Sequence, residues 1–67
     1  MANLEKLKTA IEDSGMTITA VAEKAGMVRA TLYNRLGGVG EITASEIVGL
    51  TRALKLSKEE RDEIFLS

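Results

Sequence analysis

Residues 19–36 read TAVAEKAGMVRATLYNRL, with apolar side chains recurring at helical intervals on both sides of a single glycine, Gly26. Such a stretch does not continue as one helix. Glycine costs about 1 kcal/mol inside a helix and adopts the left-handed conformation that ends one, so two short helices meeting at a tight turn are predicted. In the first, over 18–25, Val21, Ala22 and Ala25 lie inward and Thr17 stands at the N-cap. The second runs over about 28–36. A wheel of about 100° per residue gathers Val28, Leu32 and Leu36 on one side. Ala30 and Asn34 point away from that stripe, Thr31 and Tyr33 flank them, and Arg29 and Arg35 lie near the boundary.

The same logic places three more helices. Leu4, Leu7 and Ile11 share one face of a helix over about 4–13, opened by Asn3 and stopped by Ser14-Gly15. Thr43-Ala-Ser-Glu46 and Ser57-Lys-Glu-Glu60 are capping boxes, in which hydroxyl and carboxylate satisfy backbone amides reciprocally. They open helices over 44–54, with Ile47, Leu50, Thr51 and Leu54 as the buried stripe, and over 58–65. At the far end, Ile64 is expected in the core, and Phe65 is either its last plug or, with Leu66, part of a sticky surface. Proline is absent and good helix formers dominate, so the fold class is all-α: five short helices in one domain over 1–67.

Most chemistry is excluded by what the chain lacks. It has no cysteine and no histidine, which removes disulfides, the usual zinc ligand sets and the common nucleophile–base pairs. An enzyme, a cofactor, a metal and a small-molecule substrate are therefore not expected. Gly37-Gly38-Val39-Gly40 has neither the preceding strand nor the following Lys-Ser/Thr of a nucleotide-phosphate loop, and reads as a turn. No apolar run is long enough for a bilayer and no export signal is visible, so a soluble cytoplasmic domain away from membranes is the expectation. Net charge is −1: residues 1–36 carry five basic and four acidic side chains, residues 37–67 four and six. Charge alone thus decides nothing about nucleic acid.

The outer face of the 28–36 helix is more telling. A small alanine can approach a thymine methyl, asparagine can pair with adenine, and arginine with guanine. Taken alone, a helix of nine residues with such a face is also an ordinary solvated amphipathic helix. Its neighbours change the reading. Ala22, Gly26 and Leu32 stand four and six residues apart: the alanine lets two helices cross closely, the glycine closes the turn, and the leucine anchors the second helix.

With that spacing the chain resembles the helix-turn-helix of phage repressors of the Cro and lambda-repressor type. Thr31-Leu32-Tyr33 with Arg35-Leu36, Glu41-Ile42-Thr43 with Glu46-Ile47, and Leu54-Lys55-Leu56 with Glu59-Glu60 and Ile64-Phe65 are similar to a short phage-encoded subset. The resemblance implies a five-helix lambda-repressor-like domain, a transcriptional regulator in a bacterial cell, bound to a double-stranded DNA operator. Arg29, Ala30, Tyr33 and Asn34 would face bases. Thr17, Thr19, Thr31, Arg35 and the amides around Gly38 would face roughly two to four phosphates per subunit. A homodimer is implied, formed in solution or only on DNA, with Phe65 and Leu66 as candidate contacts. Three positions depart from the family pattern: Ile18 stands where glutamine is frequent, Val28 where a Ser or Thr cap is usual, and Ala30 where serine is common. The acidic balance, the missing hydroxyl cap and the scarcity of cations support an alternative, a protein-interaction module of antitoxin or anti-repressor type.

Overall fold

The computed structural model describes residues 2–66, which form five helices: α1 (Leu4–Ser14), α2 (Ile18–Ala25), α3 (Arg29–Leu36), α4 (Ala44–Leu54) and α5 (Lys58–Phe65). Capping residues set four of the starts. Asn3, Thr17, Thr43 and Ser57 are extended, and their side chains accept from the amides of Lys6, Ala20, Glu46 and Glu60. Both capping boxes close, with the Glu46 and Glu60 carboxylates accepting from the cap amides at 2.9 and 2.8 Å. At the end of α2, Gly26 is left-handed (φ 73°) and donates to the Glu23 carbonyl, while Met27 donates to Ala22 at 2.8 Å. Lys55 closes α4 in the same conformation (φ 53°) although it carries a Cβ.

Leu7, Val21, Leu32 and Leu50, one from each of the first four helices, are fully buried at the centre. Ile11, Ala22, Leu36, Ala53, Ile64 and Phe65 complete the core around them. α4 lies directly against α2. At their crossing, a Cβ on Gly49 would overlap the carbonyl oxygen of Ala25, so only glycine permits this approach. The chain ends are tied together, with the Asn3 amide donating to Ile64 O at 2.6 Å and Lys6 Nζ lying 3.0 Å from Glu63. No helix among the described residues is long and apolar enough to cross a membrane.

Two expectations are corrected in detail, and the alternatives left open for Phe65 are decided. Val28 is not inward: it is 69% exposed, because its extended backbone (ψ 136°) takes it off the helical wheel and makes it the residue before α3. In α4 the deepest positions are Gly49, Leu50 and Ala53, whereas Ile47, Thr51 and Leu54 are only partly buried. Small residues face α2 because the two backbones meet there. Phe65 is a core plug, 5% exposed, and Leu66 alone of that pair is on the surface.

Candidate nucleic-acid interface

Leu32 and Leu36, buried on one side of α3, fix which side faces out. Arg29, Ala30, Tyr33 and Asn34 are all exposed, Tyr33 by 61%, and their i, i+1, i+4, i+5 spacing makes one continuous strip. Eight helical residues span about 12 Å, comparable with the width of a DNA major groove, about 12 Å. Val28 continues the strip beyond the first turn.

The start of α2 carries two more of the expected contacts. Thr17 Oγ1 accepts from the Ala20 amide at 3.1 Å, which leaves its hydroxyl hydrogen to donate outward. Thr19 is exposed, and Ile18 is partly buried against the core. The start of α3 differs from the other four. Val28 offers no side-chain acceptor, so the Thr31 amide lacks the cap its counterparts have. Thr31 itself is half-buried.

Two of the expected phosphate contacts are not presented. Arg35 is turned into the protein: Nε and one terminal nitrogen donate to Glu46 at 3.0 and 3.3 Å, and the other terminal nitrogen to the Val39 carbonyl at 3.2 Å. Its side chain is only 19% exposed. The Gly38 amide donates to the Arg35 carbonyl at 3.0 Å, and its neighbours at 37 and 39 donate to carbonyls of Tyr33 and Asn34. These amides seal the end of α3 and are spent there.

A family model described as a helix-turn-helix domain matches residues 5–64. The chain belongs to that helix-turn-helix family. No match was found among curated proteins or among solved structures. The helix-turn-helix itself is α2, the Gly26 turn and α3, an arrangement associated with DNA-binding regulators.

In this helix-turn-helix domain the electrostatic anchor is Glu46. Burial pushes its pKa up. The Thr43 amide, then the hydrogen bond and charge of Arg35, and the Thr43 hydroxyl outweigh it, leaving the carboxyl below its ordinary value of 4.5. The Arg35–Glu46 pair thereby ties the last turn of α3 to the first turn of α4, and orients the strip relative to the core. The loop bends tightly around this pair: a Cβ on Gly40 would run into the Arg35 guanidinium. Neither Glu46 as partner of Arg35 nor Gly49 was singled out from sequence. The capping box did fix where the Glu46 carboxylate sits, and that was the available clue.

Proposed function

We propose that this helix-turn-helix domain is a sequence-specific transcriptional regulator of double-stranded DNA, a Cro-like phage or prophage repressor that places α3 in the major groove. The observation that carries this is the uncovered strip Arg29, Ala30, Tyr33, Asn34, backed by buried Leu32 and Leu36. Asn34 suits an adenine edge, Arg29 a guanine edge, and Ala30 and Tyr33 suit close apolar contact. Thr17, Thr19 and Thr31 would set register on phosphates. With Arg35 and the Gly38 amide committed inside the chain, the electrostatic footprint shrinks to roughly two phosphates per chain.

One strip reads too few base pairs for a genome, so two copies are proposed, their strips about 34 Å apart along the duplex. Leu66, 69% exposed, and Val48, 56% exposed, flank a groove between α4 and α5 that a second copy would cover; buried Phe65 forms part of its floor. Selection of bound duplexes from a random DNA pool at low salt is expected to enrich one motif in inverted repeat. No enrichment would overturn the DNA reading.

The internal commitment of Arg35 favours a second reading. It leaves Arg29 as the only outward cation of α3, beside exposed Val28 and Tyr33, a composition that also suits a protein partner. In that case α3 would dock a partner protein in the manner of an antitoxin or anti-repressor, and DNA selection would return nothing.

A further inference from the structure

Val28 is the residue whose position is hardest to explain by folding. Each of the other four helices is opened by a side chain that accepts an amide hydrogen bond, and only α3 has an aliphatic residue there. The backbone at Val28 (φ −69°, ψ 136°) is already that of a cap residue, so serine or threonine would fit without rearrangement. Instead the chain exposes 69% of a valine, as much as any large apolar residue among those described. Both features work against stability, and breaches of local rules concentrate where a residue serves binding.

We propose that Val28 reads a thymine 5-methyl group in the major groove, so that the bound site carries a thymine facing the start of α3. The assignment rests on the DNA reading above and deepens it. Val28 adjoins Arg29 at one end of the exposed strip and is largely uncovered among the described residues. Its side chain has no polar atom, so it can neither hydrogen-bond a base edge nor favour a phosphate. The one apolar group that unmodified DNA displays in the major groove is the thymine methyl. Ala30, two residues on, offers a second methyl-sized surface beside it.

Replacing thymine by deoxyuridine removes that methyl and leaves every hydrogen-bonding group in place. Thymines in a selected duplex are to be replaced singly, and binding of the full chain followed by fluorescence anisotropy. One replacement is expected to weaken binding about three- to tenfold. The same replacement is expected to leave Val28→Ala unaffected, with its helical content unchanged because the residue is exposed. Tolerance of every deoxyuridine, or an equal penalty in Val28→Ala, would overturn the assignment while leaving DNA binding intact. A chain that binds no duplex would overturn the DNA reading and the assignment with it.

Discussion

The helix-turn-helix has two sides built in opposite ways. Toward α4 the groups are committed within the chain: Gly49 brings backbone against Ala25, Arg35 gives three N–H groups to Glu46 and Val39, and the amides of residues 37–39 all find carbonyls. Away from α4 the reverse holds. Val28 caps nothing, Arg29 pairs with no acidic group among the described residues, and Tyr33 and Asn34 face solvent. Within eight residues of one helix, one face is thus committed to the fold and the other is left open to solvent. Substitutions on the closed side should cost stability, and truncations of the exposed Arg29 and Asn34 should leave it unmoved.

The largest effect is expected from Gly49→Ala. Alanine is the better helix former, so an exposed glycine would gain from this change. Here the added Cβ meets the Ala25 carbonyl, and the helices must separate. A net loss of about 2–3 kcal/mol is expected, on the order of 10–20 °C in melting temperature. An unchanged melting temperature would show that α2 and α4 do not meet as closely as described.

Next comes Arg35→Ala. It leaves Glu46 partly buried with only its cap partners, at a cost of about 1–2 kcal/mol. Acid sensitivity sharpens this. Because the Glu46 pKa is lower folded than unfolded, its contribution is present above the unfolded value of 4.5 and is lost as pH falls through the folded one. Removing Arg35 should therefore flatten the decline in stability in that acidic window, as followed by circular dichroism. The salt dependence of DNA binding should stay the same, and a slope that fell by about one would return Arg35 to the phosphates.

On the open side, Asn34→Ala should cost about 1–2 kcal/mol of discrimination at one base pair, with the melting temperature unmoved. Retention of the full preference for one site would remove Asn34 from the reading strip. Arg29→Ala should likewise spare stability, since the residue is exposed and pairs with no acidic group among the described residues.

The closed and open sides were not equally legible in the sequence. Helix starts were, because Asn3, Thr17, Thr43 and Ser57 act through amides three residues away, and the glycine stops at 15 and 26 act on their own backbone. The outward strip was also legible, since Leu32 and Leu36 fix the phase of α3. What escaped depended on distance between elements. Glu46 and Arg35 are eleven residues apart across a glycine loop, and Gly49 matters only because Ala25 is opposite it. Val28 was read in two ways: the wheel, which presumes helical angles at every position, turned it inward, whereas the family resemblance put it at the cap position that its extended backbone confirms. Lys55 escaped for another reason, being a left-handed helix end without the glycine that would announce it.

Val28→Ser tests the division most directly because its two readouts should move in opposite directions. A serine hydroxyl at an already cap-like backbone can accept from the Thr31 amide, contributing about 1 kcal/mol to the folded state. The same substitution withdraws two methyl groups from the exposed surface proposed to meet the thymine. Melting temperature should rise by about 4–8 °C while sensitivity to deoxyuridine disappears. A gain in stability with the methyl preference intact would place thymine recognition elsewhere on the strip, Ala30 being the nearest candidate. If serine gave no stability, then the first turn of α3 would be held by Leu32 and Leu36 alone, and an apolar residue at position 28 would need no functional explanation.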